Sequence, residues 1–462
     1  MIGKIRKKIK RAFDNIRNER VKKNLLQAIP FWLGSIVTGL VAVFYAKLFA
    51  YAEQASIYIY NHASWSFFFI TPCCFVIGWW LVKYFAPYSR GSGIPQVIAA
   101  IELANPKQNE KVDRLLSIRI ILVKIFSSLS IVFGGGIIGR EGPTIQIAGS
   151  VFRKINQWLP SWWPKISRQN MIMTGAAAGL AAAFNTPLGG VVFAVEELTK
   201  THISYFKTAL FTAVIIAGLT AQAFLGPYLY LGYPDVNNLS SWIFLPMILV
   251  AVVAGLSGSI MSKIMLMLFK VKARFKKNYQ FILYAIVGAL IIACCGYFIG
   301  HDALGSGKEL MTTKLFTAEK YAPWYEPLLR ISGSVLTFTS GAAGGVFAPA
   351  LAAGASIGSA ISEWFHLVPA NTNLLILCGM VAFLTGITRT PFTSAILVLE
   401  MTDRHNVIFY LLLAGMISGL VSLLVDKRSF YEHLKHQYIH ELRNEEFHET
   451  NTATVVPDNV SE

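Results

Sequence analysis

Arg140 and Glu141 stand in the stretch Gly134-Gly135-Gly136-Ile137-Ile138-Gly139-Arg140-Glu141-Gly142-Pro143, a guanidinium and a carboxylate inside long apolar sequence. Five glycines and a proline share those ten positions. Charged side chains at membrane depth are costly and usually face a cavity or a pathway. Irregular Gly/Pro backbone is tolerated there only where protein covers it or water lines it. The stretch reads as an ion site centred on Glu141; the alternative is a buried structural ion pair. A second candidate is Ser89-Arg90-Gly91-Ser92-Gly93-Ile94-Pro95. Gly91 and Gly93 free the backbone, and Pro95 suits a first helical turn, where its missing N–H is not needed. Ser92 then stands at a helix threshold, whose exposed N–H groups favour an anion. From this stretch alone an ordinary Ser cap is the other reading.

The elements that position these residues are membrane helices. The 462 residues are 54% apolar and 14% charged, with a mean hydropathy of +0.51. Soluble domains carry roughly 25% charged residues. Apolar blocks lie near 24–50, 66–86, 116–138, 171–199, 208–232, 241–270, 279–300, 331–362 and 373–425. Several exceed the roughly 20 residues that one crossing needs. Several are broken by Gly or Pro, so more than ten helices are expected, some only partway across. Block 24–50 is predicted to span and 66–86 to span again, with 51–65, which holds Glu53, Asn61 and His62, as an external loop. Residues 103–117 and 301–330 are predicted to be surface loops. Lys124, in block 116–138, either snorkels to the interface or pairs inside the bundle. Trp158, Trp162 and Trp163 suit a membrane interface.

The net charge is +16, and residues 1–23 hold ten Lys/Arg against Asp14 and Glu19. That arm reads as a basic cytoplasmic helix near anionic lipid, with no nucleic-acid partner expected. Residues 270–277, basic and without an acid, are cytoplasmic by the same rule. The five cysteines all sit in apolar sequence and read as small buried hydrophobes. From 426 the chain turns polar and acidic. His433, His436 and His440 can share a helix face there, but no four-ligand metal pattern accompanies them.

The chain repeats internally. Gly91-Ser92-Gly93 recurs as Gly305-Ser306-Gly307, Gly139-Arg140-Glu141-Gly142-Pro143 as Gly345-Val346-Phe347-Ala348-Pro349, and Thr186-Pro187 with Glu196 as Thr390-Pro391 with Glu400. Pro143 to Pro187 is 44 residues and Pro349 to Pro391 is 42, so order and spacing are both kept. Gly/Pro-interrupted apolar segments at matching positions of two halves point to a substrate site between repeats. Broken helices from each half would aim positive N-termini at one point, which selects an anion. The organisation read from this is a basic N-terminal helix over 1–23, a first membrane repeat over 24–232, a second over 233–430, and a polar acidic cytoplasmic tail over 431–462.

With these motifs the sequence resembles the CLC family of chloride channels and chloride/proton antiporters. The resemblance runs from about residue 24 to 435. It is carried by Gly91–Pro95, Gly139–Pro143 and Gly344–Pro349, with Asn185–Glu197 and Arg389–Asp403 around them. It implies an all-α polytopic fold of inverted repeats with tilted and partly spanning helices, and a homodimer with one pathway per subunit. It implies a chloride held by the Ser92 and Tyr431 hydroxyls and by amides near Val346 and Phe347, with Tyr438 as the rival to Tyr431. Glu141 would be the external gate and Glu197 the internal proton-transfer carboxylate. Ser92 stands where nitrate-preferring members have proline and fluoride exporters have asparagine, which argues for chloride. The paired cytoplasmic regulatory domains of many eukaryotic members have no room here.

The chemistry follows from the residue types as well. An ionised Glu141 is a tethered anion that can occupy the donors that would bind chloride, and protonation lets it leave. Chloride and proton then compete for one site. Coupling needs a second proton route, which Glu197 supplies; its neighbour Glu196 adds like charge that resists joint ionisation. The other reading of Glu197 is a helix-end cap or a partner of Lys200, and Glu400 reads as structural. The expected function is chloride/proton exchange, with a passive chloride channel as the alternative. Expected partners are chloride, protons, membrane lipid and a second copy of the chain. The expected location is a bacterial inner membrane with both termini cytoplasmic. An enzyme is not expected, and no cofactor or metal. H-E-x-x-H is missing from the sequence. Gly305-Ser306-Gly307-Lys308 fails as a phosphate loop, because Asp302 and Glu309 replace its first Gly and its Ser/Thr.

Overall fold

The computed structural model of the chain describes Asp14 and residues 18–105, 108–198, 207–226, 230–240, 242–301, 304–318, 320 and 322–453. Among them are eighteen α-helices and no named strand. The first half holds α1 (Glu19–Ala63), α2 (Phe67–Phe85), α3 (Ile94–Glu102), α4 (Asn109–Leu115), α5 (Ile118–Phe133), α6 (Glu141–Trp158), α7 (Arg168–Phe184), α8 (Pro187–Phe193) and α9 (Lys207–Leu225). The second holds α10 (Phe244–Lys272), α11 (Asn278–Ile299), α12 (Lys308–Phe316), α13 (Glu326–Thr339), α14 (Phe347–Trp364), α15 (Pro369–Thr388), α16 (Pro391–Thr402) and α17 (Ile408–Ser422); α18 (Phe430–Ala453) follows. Seven helical stretches are long and apolar enough to cross a membrane. Apolar side chains such as Phe298, Phe409 and Leu424 face outward at 77%, 80% and 83% exposure, as lipid contact allows. The centre is α14 against α15, where Gly354 and Gly379 bring the two backbones so close that a Cβ on either would strike the other's carbonyl. Small residues permit such approach where lipid offers helices no hydrophobic drive to associate.

The two halves are related by a local two-fold axis, shown by hydrogen bonds exchanged between equivalent residues. The Gly139 N–H donates to the Gly345 carbonyl and the Gly345 N–H to the Gly139 carbonyl, each at 2.8 Å. Glu196 accepts from the Phe392 and Thr393 N–H groups at 3.2 and 2.6 Å, and its mate Glu400 accepts from the Leu188 and Gly189 N–H groups at 3.0 and 2.6 Å. Each carboxylate thus caps the first turn of the other half's short helix, α16 or α8, where N–H groups lack intrahelical partners. Lys124 is fully buried and donates to the Ser89 and Gly91 carbonyls at 2.8 Å each; Arg330 does the same to Leu304 and Gly305 at 3.1 Å. Lys124 therefore pairs inside the bundle and does not snorkel.

Three sequence expectations are corrected. Residues 51–63 are not an external loop but the continuation of α1, whose 45 residues run on to Ala63. At 1.5 Å per residue that helix is about 67 Å long, beyond a bilayer core of about 30 Å. Glu53 rides on it and accepts from the Ser306 N–H and hydroxyl at 3.0 and 2.8 Å, so its polarity serves a contact with the second half. The predicted surface loops contain α4, α12 and the start of α13. From 430 the chain is no solvated tail: Phe430, Tyr431 and Lys435 are at most 2% exposed. The acids of α18 meet cations of the first half, with Arg90–Glu441 at 2.5 Å and Arg114–Glu445 at 2.8 Å, while Lys435 meets Glu102 at 3.0 Å. Of the basic arm over 1–23, residues 1–13 and 15–17 lie outside the described residues, as do 454–462 and Lys200, while 19–23 begin α1.

Candidate anion and proton site

Gly91, Gly139 and Gly345 bring the three motifs together through their backbones. Besides the Gly139–Gly345 pair, the Gly91 N–H donates to the Ala342 carbonyl at 2.8 Å and the Gly344 N–H to the Gly91 carbonyl at 3.1 Å. Gly91 and Gly93 have φ of +62° and +102°, which only glycine adopts cheaply. Gly93 caps α3, whose second residue is Pro95. This turn presses Ser92 against Gly142 in the first turn of α6, where a Cβ would collide with the Ser92 hydroxyl.

Ser92 and Tyr431 are 2% and 0% exposed, and neither hydroxyl has a hydrogen-bond partner of good geometry. They lie within each other's reach, Tyr431 coming from the first turn of α18. Buried hydroxyls are normally satisfied, so two unmatched donors side by side mark a place for an acceptor. The Tyr431 ring stacks on Phe347 at 6.4 Å and 14°. Tyr438 is a full helical turn or more away on α18, edge-on to Tyr88 and beneath the Arg90 guanidinium at 4.9 Å. Tyr431, not Tyr438, therefore accompanies Ser92.

Glu141 is the first residue of α6 and is 1% exposed. Its carboxylate lies against its own N–H and that of Ala348, at the start of α14. The first intrahelical bond of α14 runs from the Ala350 N–H to the Val346 carbonyl, leaving the Phe347 and Ala348 N–H groups to outside acceptors. Val346 and Phe347, both 1% exposed, frame this helix end. One carboxylate thus sits where two helix N-termini, one from each repeat, converge. Arg140 acts on Glu141 electrostatically from the N-cap position of α6.

Glu197 lies on a single π-turn, Ala194–Leu198, that follows α8; it is partly exposed and interacts electrostatically with Tyr431. The adjacent Glu196 is committed to capping α16, with the Thr393 hydroxyl adding a third donor at 2.7 Å. Its carboxylate is thus spent on one helix end. Phe184 links the two regions, 5.2 Å edge-on to Tyr230 and 6.2 Å from Phe347. Tyr230 was invisible to motif reasoning: it lies between α9 and α10, in no repeated motif, yet its hydroxyl reaches Glu141 Oε1 at 3.4 Å.

The arrangement defines a class of membrane protein in which two inverted helical repeats converge on one buried carboxylate. The family described as voltage gated chloride channel matches residues 73–423, and the chain belongs to that family. Among curated relatives, the H(+)/Cl(-) exchange transporter ClcA of Salmonella schwarzengrund (strain CVM19633) is 29% identical over 454 residues, covering 91% of each chain. The protein of the same name from Cronobacter sakazakii (strain ATCC BAA-894) is 28% identical over 365 residues, covering 77% of this chain and 76% of its own. Of solved structures, a slow cyanobacterial Cl-/H+ antiporter superposes with a TM-score of 0.77 at 22% identity, over 89% of this chain and 97% of its own. A CLC-type fluoride/proton antiporter superposes with a TM-score of 0.74 at 21% identity, over 90% of this chain and 98% of its own.

Proposed function

We propose that the protein exchanges chloride for protons across a membrane, with Glu141 as the gate. The observation that carries this reading is the Glu141 carboxylate at the Ala348 N–H, with the unpartnered Ser92 and Tyr431 hydroxyls close by. A carboxylate and a chloride present the same charge to the same donors, so each excludes the other. A proton on Glu141 removes its claim on the helix ends and frees the position for chloride. Ser92, Tyr431 and the amides of Val346 and Phe347 hold the chloride. Glu197, which interacts electrostatically with Tyr431, passes the proton on that side of the site. The relatives named as H(+)/Cl(-) exchange transporters support this assignment.

The working unit is a homodimer in the lipid of a bacterial inner membrane, with one pathway per subunit and both termini cytoplasmic. No cofactor, metal or enzymatic step takes part. The deciding experiment loads reconstituted vesicles with chloride and follows external pH. Chloride efflux should drive protons inward against their gradient. Chloride flux without proton movement would replace exchange by passive conduction.

A further inference from the structure

We propose that Tyr230 is a positioning residue for the gate, its hydroxyl latching the ionised Glu141 carboxylate in its seat. The inference rests on the gate role proposed above and adds the group that sets how readily the gate lets go.

The aromatic run Tyr230–Phe184–Phe347–Tyr431 has centroid separations of 5.2, 6.2 and 6.4 Å. It ends in a tyrosine hydroxyl on each side. Tyr431 closes one end with Ser92; Tyr230 closes the other and donates to Glu141 Oε1 at 3.4 Å. The residue is only 4% exposed, although it lies in a connection without regular structure. Two contacts hold it there. The N–H of its neighbour Leu231 donates to the Met401 carbonyl at 3.0 Å, and the Lys308 ammonium lies 4.7 Å from its ring centroid. A cation over a phenol ring withdraws electron density from it, which makes the hydroxyl a better donor.

A donor of this kind discriminates between the two states of the gate. Hydrogen bonds to a charged acceptor are worth about twice those to a neutral one. Tyr230 therefore favours the ionised, seated carboxylate over the protonated one that leaves. The bond is long for O–H···O, whose usual length is about 2.7–2.8 Å. It holds the gate loosely, so a modest competitor releases it. Other groups acting on Glu141 are Arg140, Lys308, Tyr45 and Tyr431, and Glu53 acts on Lys308 beside them. None of these is removed when Tyr230 loses only its hydroxyl.

The test is Tyr230→Phe in reconstituted vesicles, alone and with Glu141→Gln. Loss of one weak charge-assisted bond, at the low end of its range, changes the seated-gate equilibrium by about threefold to tenfold. The pH profile of proton-coupled chloride flux should move to higher pH by about half to one unit. Apparent chloride affinity, read by calorimetry on the detergent-solubilised protein, should rise by the same factor. In the Glu141→Gln background the second substitution should change neither reading by more than about twofold, because it acts only through the carboxylate. An unshifted pH profile, or an equal change in chloride affinity with and without Glu141, overturns the latch. Should Tyr230→Phe fail to transport, the calorimetry still decides. Absence of coupled flux in the unmodified protein would instead sink the exchange reading itself.

Discussion

Lys124→Met separates the support of the anion site from the support of the fold. The ammonium of Lys124 donates to the Ser89 and Gly91 carbonyls at 2.8 Å each, from a position with no exposure. The Ser89 carbonyl loses its donor, which costs about 1–3 kcal/mol, while the Gly91 carbonyl keeps the Gly344 N–H at 3.1 Å. Removing a buried ammonium also removes its desolvation penalty, so the net loss should be at most about 2 kcal/mol. That loss lands on the turn that presents Ser92. Arg330→Met is the matched control, since Arg330 makes the same two contacts on the turn that presents Ser306. There the hydroxyl is already committed to Glu53 at 2.8 Å. Both variants should unfold at similarly reduced denaturant concentration. Calorimetry should find chloride affinity reduced about tenfold in Lys124→Met, equivalent to about 1.4 kcal/mol, and less than about twofold in Arg330→Met. Equal chloride affinities in the two variants, with equal loss of stability, would refute the idea that Lys124 acts on the site through Ser92.

Glu141→Gln should abolish coupling and leave a chloride leak, seen as chloride flux without pH change in vesicles. Glu197→Gln should stop proton movement while chloride still flows; intact proton pumping by that variant removes Glu197 from the pathway. Glu196→Gln and Glu400→Gln should each weaken one helix cap by about 1–2 kcal/mol and act on stability before transport, since the two carboxylates cap α16 and α8 symmetrically. Asp426, in the turn before α18, is partly buried, which opposes its ionisation. The Arg428 N–H, His433 at 3.0 Å and Arg389 outweigh this and hold its carboxyl below the usual range. A depressed carboxyl stabilises above its unfolded value of about 3.9 and loses that contribution as pH falls through the folded one. Hydrogen exchange across α18 should therefore be faster in Asp426→Asn than in the parent at pH 5–7, and the difference should shrink as pH falls below about 3.9.

Much of the site was legible because glycine and proline mark unusual backbone. Gly91, Gly93, Gly139 and Pro143 announced breaks in apolar sequence, and their recurrence at Gly305, Gly307, Gly345 and Pro349 announced the symmetry. Charge was a poorer guide. Glu53 looked like loop polarity because its partner, Ser306, is 253 residues away and no local pattern records it. The acids of α18 looked solvated because the cations they meet, Arg90 and Arg114, belong to the opposite end of the chain. Tyr230 was illegible for a related reason. The carboxylate it reaches is 89 residues away, and its surrounding segment carries no period or motif.

The symmetry and the chemistry divide the work between scaffold and substitution. Gly139 and Gly345 exchange identical hydrogen bonds, and Glu196 and Glu400 exchange identical caps. The frame is therefore built twice and held rigid at the axis. At the position after each paired turn the halves differ: Glu141 opens α6, while its mate Phe347 opens α14. Ser92 keeps its hydroxyl unpartnered, while Ser306 gives its own to Glu53. Two carboxylates at the axis would repel each other across the converging helix ends, and two phenylalanines would leave nothing to titrate. One of each gives a single ionisable group that both helix N-termini stabilise, beside a ring that stacks on Tyr431. In the exchange mechanism proposed above, this asymmetry lets one proton change the occupancy of a site that two repeats build.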